Sequence, residues 1–161
     1  MKTPDNSILR GKEICQIGIV VPNIEQAVQH YAQLCGTSTP AVELTAPGDI
    51  AHTVYKGQPT EAQAKLAFFE IRMPVIELIE PVGGPSVWQE FFDTRGQGIH
   101  HIAYCVENRD EQCRRFLHEF GMETVQAGDY EGGRYAYIDA TSQLGIYIEL
   151  LENFPDQGGI S

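Results

Sequence analysis

Basic residues are scarce in this chain: 11 lysines and arginines stand against 22 acidic residues, a formal net charge of −11 over 161 residues. A surface of that sign repels a phosphate backbone, so nucleic acid is not an expected partner. Long apolar runs are missing as well. No stretch approaches the roughly 18 consecutive apolar residues of a membrane span, and the opening MKTPDNSILRGKE lacks the apolar core of a secretory signal. The expectation is a soluble, cytoplasmic protein with no membrane partner. The cysteines, Cys15, Cys35, Cys105 and Cys113, show no Cys-x-x-Cys spacing and lie inside apolar stretches. They read as small buried hydrophobes of a reducing compartment, with a disulfide pair the less favoured alternative. What remains, at 42% hydrophobic and 20% charged residues, has the composition of one globular domain.

What the chain does have is repetition. Residues 16–36, QIGIVVPNIEQAVQHYAQLCG, align with residues 101–121, HIAYCVENRDEQCRRFLHEFG, and VIELIE at 75–80 aligns with YIELLE at 147–152. His101 stands 85 residues after Gln16 but Glu149 only 72 after Glu77, so the first copy carries 13 extra residues between its helix and its last strand. In that copy the β-branched run ICQIGIVV predicts a buried strand over 14–21, ended by Pro22. Asn23 can then cap a helix whose apolar stripe is Ile24, Ala27, Val28, Tyr31 and Leu34, with Gly36 as its stop. Residues 37–64, rich in Thr, Pro, Gly and Ala, predict a mobile segment with one short strand near 41–44 that forms a lid and sets specificity. Strands over 65–71 and 74–80 complete the copy.

The second copy repeats this order. A strand over 100–107 leads to a helix from Asn108 with Cys113, Phe116, Leu117 and Phe120 on its stripe, stopping at Gly121. Strands follow near 122–127, 134–140 and 145–152, turned at Gly132-Gly133 and Gln143-Leu144-Gly145. Between the copies, Ser86 with Gln89 resembles a capping box opening a short linker helix through Phe92, with Trp88, Phe91 and Phe92 as packing residues. The tail after Glu152 is expected to fray. The expected fold is α+β: two tandem β-α-β-β-β modules, 13–81 and 99–153, joined by a linker helix within 82–98, in one domain over 13–153.

Side chains alternate along a strand, so Gln16 shares a face with Gly18 and Val20, and His101 shares one with Ala103 and Cys105. Small neighbours leave room beside each polar group. Glu77 and Glu149 point away from their apolar neighbours. If the two curved sheets face one another across a pseudo-twofold axis, Gln16, Glu77, His101 and Glu149 converge. One amide oxygen, one imidazole and two carboxylates form a hard, oxygen-rich set suited to a divalent Zn, Ni, Co, Mn or Mg ion. Each residue alone has a plainer explanation. Gln16 could be a hydrogen-bonded strand residue, His101 a satisfied core histidine, and His100 the functional one if the register slips by one. Glu77 and Glu149 could be solvated charges; Glu80 and Glu152, of opposite parity and nearer the strand ends, read as solvated or ion-paired. Duplication tips the balance, because chance does not readily place ligand-capable residues at the same two positions of both copies.

The stretches ICQIGIVVPNIEQAVQHYAQLCG and GIHHIAYCV, with the twin endings IELIEP and IYIELLE, resemble the vicinal oxygen chelate superfamily over about residues 13–152. This superfamily includes glyoxalase I, methylmalonyl-CoA epimerase and bleomycin-resistance proteins. The resemblance implies a cup-shaped, partly open mixed β-barrel with flanking helices, formed within one chain or across a homodimer. It puts the four metal ligands at Gln16, Glu77, His101 and Glu149, a set similar to the zinc-type glyoxalase I. Extradiol dioxygenases need two histidines and one carboxylate on iron, which this set does not match. Glyoxalase I carries an arginine four residues after the first ligand and an asparagine four after the second, to hold glutathione; here these are Val20 and Pro81. The stretch EPVGGPSVWQEFFDTRGQGIHHIAYCVEN is closer to the epimerase, whose second glutamate has Glu61 and Glu70 as candidates here.

The implied function is a metal-dependent isomerase or lyase, acting by enolate chemistry on a small oxoacyl or acyl-thioester substrate, with CoA and glutathione thioesters as candidates. Glu149 is then both ligand and base, with Glu77 as the second carboxylate. The alternative is a non-catalytic protein of the bleomycin-resistance type that sequesters a ligand in the same cleft.

Overall fold

Strand β1 (Ile14–Val20) opens the chain's regular structure in a computed structural model that describes residues 7–155. Helix α1 (Ile24–Cys35) starts where the Asn23 side chain accepts a hydrogen bond from the Gln26 N–H, and stops at Gly36, whose φ of 65° suits glycine. The extra residues of the first copy form β2 (Glu43–Leu44), α2 (Gly48–Ala51), β3 (Val54–Tyr55) and β4 (Gln58–Pro59). The long strands β5 (Gln63–Phe69) and β6 (Val75–Val82) follow, then the linker helix α3 (Val87–Arg95), capped by Ser86 Oγ on the Gln89 N–H. The second copy comprises β7 (Gly98–Cys105), α4 (Arg109–Phe120), β8 (Thr124–Tyr130), β9 (Gly133–Ala140), the single turn α5 (Thr141–Leu144) and β10 (Ile146–Asn153).

Among the described residues all ten strands join one curled mixed sheet in the order β2-β5-β6-β1-β7-β10-β9-β8-β3-β4, with five helices, which is the α+β architecture expected. Parallel β1–β6 in the first half matches parallel β7–β10 in the second, and antiparallel β1–β7 seals the two halves together. Three apolar clusters hold the sheet. One packs α1 residues Ile24, Val28 and Ala32 on Ala67, Phe69 and Leu78. A second packs Phe116 of α4 on Ile138, Ile148 and Leu150. The third sits under α3, where Val87, Trp88 and Phe91 meet Val20, Ile79, Tyr135 and Tyr137. Each fully buried aliphatic side chain here contributes about 1.5–3 kcal/mol.

Several expectations change. Leu34, Leu117 and Phe120, assigned to the buried stripes, are exposed in the final turn of their helices. Of the cysteines, only Cys15 is buried; Cys113 is half-buried, while Cys35 and Cys105 are exposed at the last positions of α1 and β7. Residues 37–64 carry more structure than one short strand. β3 crosses to the far edge of the sheet, pairing Val54 with Ala127 and Tyr55 with Gln126 of β8. Backbone bonds from Lys56 N to Val125 O (2.8 Å) and Thr60 N to Thr53 O (3.0 Å) fix it there. Its partners are remote in sequence, so no local periodicity announces it. The frayed tail predicted after Glu152 lies outside the described residues from 156 onward; Asn153 belongs to β10. No helix among the described residues is long and apolar enough to cross a membrane.

Glu80 and Glu152 are ion-paired as expected, with Lys65 (3.3 Å) and Arg134 (2.7 Å), but each also caps a helix. Glu80 Oε2 accepts from Ile24 N at 2.7 Å, and Glu152 Oε2 accepts from Arg109 N at 3.1 Å. A carboxylate at a helix N-terminus satisfies an orphan N–H and opposes the positive end of the helix dipole. Replacing either with alanine should lower stability by about 1 kcal/mol. Urea denaturation of Glu80→Ala and Glu152→Ala measures this, and similar losses are expected because the roles are equivalent.

Candidate metal centre

Strand pairing lays out two rows across the sheet. In one, Glu77 of β6, Gly18 of β1 and His101 of β7 stand side by side; in the next, Gln16 of β1, Ala103 of β7 and Glu149 of β10 do. The rows are two residues apart on both central strands, so they face the same way. Each row has a small residue between two polar ones, and the internal twofold exchanges the rows. The small residues are required. A Cβ on Gly18 would lie 1.9 Å from His101 Cε1, so the imidazole occupies the space a side chain would fill. Ala103 has no exposure at all.

A β-bulge also shapes the wall. Between Ile14 and Gln16 the β1–β7 register slips, making Cys15 the extra residue. Consecutive residues of a regular strand face opposite sides, yet Cys15 and Gln16 both line the cavity.

Of the four residues singled out from the repeat, Glu77, His101 and Glu149 come together, and Gln16 lines the same cavity from the row it shares with Glu149. His101 Nε2 lies 2.9 Å from Glu149 Oε2 and 3.2 Å from Glu77 Oε2. One ligand atom from each of Glu77, His101 and Glu149 lies within 4.8 Å of the others, and all three residues are buried. Gln16 Oε1, Glu77 Oε2, His101 Nε2 and Glu149 Oε2 are buried atoms without a hydrogen bond. The imidazole contacts have ion-pair length but not hydrogen-bond direction. An unsatisfied buried polar atom costs about 1–3 kcal/mol, and buried polar groups are normally partnered, so the three gathered ligand atoms of Glu77, His101 and Glu149 form a group able to share a cation. Electrostatics agree. Burial pushes the Glu77 pKa up, and the neighbouring Glu149 charge adds to the rise against the pull of His101. Burial disfavours charge on His101, but Glu149 and then Glu77 outweigh it and lift the imidazole to about 10.

His100, the register alternative, stands behind His101. Its Nδ1 is 3.0 Å from His101 Nδ1, and its ring stacks on Tyr147 with centroids 4.7 Å apart and meets the edges of Phe91 and Tyr137. Burial pushes its pKa well below the usual histidine value, so it is neutral. A neutral His100 can accept the His101 Nδ1–H, which fixes the ring so that Nε2 is the nitrogen turned toward Glu77 and Glu149. The adjacent histidines in GIHHIAYC were the available signal for this supporting role.

The centre floors a cavity of about 680 Å³ whose walls include Leu66, Phe68, Trp88, Tyr135 and Tyr137. Trp88 is a packing residue as expected and also a wall, its Nε1–H donating to the Tyr137 hydroxyl at 3.0 Å. From the crossing segment, Thr45, Ala46, Ala51 and Thr53 reach the cavity. Glu61 and Glu70, the candidates for a second base, are both exposed and neither lines it. β5 instead presents Leu66 and Phe68, because its alternation turns apolar residues inward. Further acids that line the cavity are Glu43, Asp129 and Glu131; no lysine or arginine among the described residues does so.

The sequence profile of the Glyoxalase/Bleomycin resistance protein/Dioxygenase superfamily matches residues 15–138. The uncharacterized protein YqjC of Bacillus subtilis (strain 168) is 27% identical over 143 residues, spanning 88% of this chain and 92% of its own. Among solved structures, methylmalonyl-CoA epimerase from Mycobacterium tuberculosis is similar with a TM-score of 0.63 and 26% identity over 89% of each chain. Streptomyces coelicolor methylmalonyl-CoA epimerase, solved in complex with 2-nitronate-propionyl-CoA, shares the fold at 17% identity and a TM-score of 0.58, covering 88% of this chain and 96% of its own.

The contact between Gly18 and His101 is directly testable. Gly18→Ala should displace the imidazole and weaken divalent-ion binding by about 10–100-fold, the usual effect of disturbing a ligand's support. Ion titration followed by calorimetry measures this, with circular dichroism reporting whether the fold persists.

Proposed function

The chain belongs to the Glyoxalase/Bleomycin resistance protein/Dioxygenase superfamily, and on that footing we propose that it is a metal-dependent isomerase or lyase that moves a proton beside the carbonyl of a small oxoacyl compound. The carrying observation is the convergence of buried Glu77, His101 and Glu149, whose ligand atoms lie within 4.8 Å of one another, beside a cavity that Gln16, Glu77 and Glu149 line. Gln16 Oε1, Glu77 Oε2, His101 Nε2 and Glu149 Oε2 would hold a divalent ion of the Zn, Ni, Co, Mn or Mg class. When bound, such an ion supplies Lewis acidity toward a carbonyl oxygen and so acidifies the adjacent C–H.

The protein's own residues do the rest. Glu149 accepts the proton at a carboxylate oxygen and delivers it again, and a positioned general base of this kind contributes about 10²–10⁴ in rate. Glu77 occupies the twofold-related position and anchors the opposite side. Two carboxylates balance a dication, which leaves a near-neutral centre that tolerates a polar substrate. His100 holds the His101 ring in place, and the aromatic walls exclude water.

The cavity's chemistry narrows the substrate. CoA thioesters carry several negative charges and glutathione conjugates two carboxylates, while the lining offers carboxylates and, among the described residues, no lysine or arginine. That favours a small oxoacyl compound, although the epimerase structure with a propionyl-CoA analogue keeps acyl thioesters in the test set. Since β5 brings Leu66 and Phe68 rather than a second acid, return of the proton to the neighbouring carbon is favoured over inversion.

Protein purified without chelator should retain about one divalent ion per chain, read by plasma mass spectrometry. NMR in deuterium oxide should then show α-carbon exchange that stops on chelation, recovers on adding the ion back and falls by about 10²–10⁴ in Glu149→Gln. Exchange is scored over 2-oxo compounds, acyl-CoA and glutathione adducts. Failure to bind any divalent ion would sink the proposal, and an ion-loaded protein that binds these ligands without exchange would identify a sequestering protein instead.

A further inference from the structure

Two thiols stand in the cavity wall with no part in this chemistry. Cys15 Sγ and Cys105 Sγ are 3.2 Å apart, and the Cys15 thiol also donates to Ala103 O at 3.3 Å. Both residues line the cavity; Cys15 is buried and Cys105 is exposed. They face each other across β1 and β7, the strands that join the two halves. Cys15 is the bulged residue and lies outside the regular pairing, so it can shift without breaking the ladder. A disulfide needs an S–S distance of about 2.05 Å, which the pair reaches by closing about 1 Å. The remaining cysteines, Cys35 at the end of α1 and Cys113 in α4, lie on other elements.

We propose that Cys15 and Cys105 form a peroxide-responsive, reversible disulfide site in the cavity wall. Cys105, the reachable partner, attacks a peroxide oxygen as its thiolate. An S–O bond forms, the O–O bond breaks, and the departing hydroxide leaves as water after taking a proton. Cys15 sulfur then attacks the Cys105 sulfenic acid. An S–S bond forms, the S–O bond breaks, and the leaving hydroxide takes the Cys15 proton as a second water. In sum two thiols and one hydrogen peroxide give one disulfide and two waters, with two electrons passing from sulfur to oxygen. A dithiol reverses it. The bond ties down the bulge beside Gln16, so oxidation stiffens the wall that carries this cavity residue. The inference stands on the sulfur geometry and does not depend on the proposed reaction.

The full chain, treated with a small molar excess of hydrogen peroxide and then alkylated in denaturant, provides the test. Intact mass should fall by two hydrogens, two of the four thiols should escape alkylation, and peptide mapping should recover a link between residues 15 and 105 that dithiothreitol removes. Cys35→Ser should behave as the parent chain, which separates this bond from cross-linking between molecules. Cys15→Ser should halt at a sulfenic acid on Cys105 that dimedone traps, and Cys105→Ser should form no bond. Four alkylated thiols after the same treatment, or a link that uses Cys35 or Cys113, would overturn the assignment.

Discussion

The antiparallel seam between β1 and β7 is the interaction on which the rest depends. It fuses two copies of one module into a single sheet and sets Gly18 against His101 and Gln16 against Ala103. Because side chains repeat every second residue, a slip of one position along this seam would send the polar groups to the wrong face. The seam is held by packing on both sides. Ile24 of α1 with Leu78 beneath it, and Val20 and Ile79 under α3, have no exposure, so a slipped register would have to empty two apolar clusters. The centre is thus positioned by burial of apolar clusters, one of which also supplies its aromatic wall through Trp88, Tyr135 and Tyr137.

Much of this was legible in the sequence. The repeat located Gln16, Glu77, His101 and Glu149, parity chose His101 over His100, and glycine and asparagine marked the first helix. What stayed hidden was of one kind, namely contacts between residues far apart in the chain. β3 pairs with a strand some 70 residues later, Glu80 caps a helix that begins at Ile24, and the Cys15 bulge exists only in relation to β7. None of these leaves a periodic trace in its own segment. The burial assigned to Cys35 and Cys105 failed for a related reason: an apolar neighbourhood in sequence does not say where an element ends.

Charge is distributed with the same economy. Each module carries two glutamates on its last strand, and the pleat turns one toward the cavity and leaves the other at the mouth of a helix. The outward members meet Lys65 and Arg134, whereas the inward members meet His101. Identical side chains three residues apart therefore meet opposite environments. One is screened and satisfied; the other is desolvated beside His101.

The crossing of β3 to β8 also has a meaning for the order of synthesis. A ribosome releases Val54 and Tyr55 with their hairpin partners Pro59 and Gln58 well before Ala127 and Gln126 exist, so their pairing with β8 waits until most of the second copy has been made. The first copy therefore lacks this edge pairing until the second is largely made, although it holds a complete β-α-β-β-β set. Duplication usually makes domains that fold in succession; here a single hairpin makes the earlier copy wait for the later one, and the two become native together.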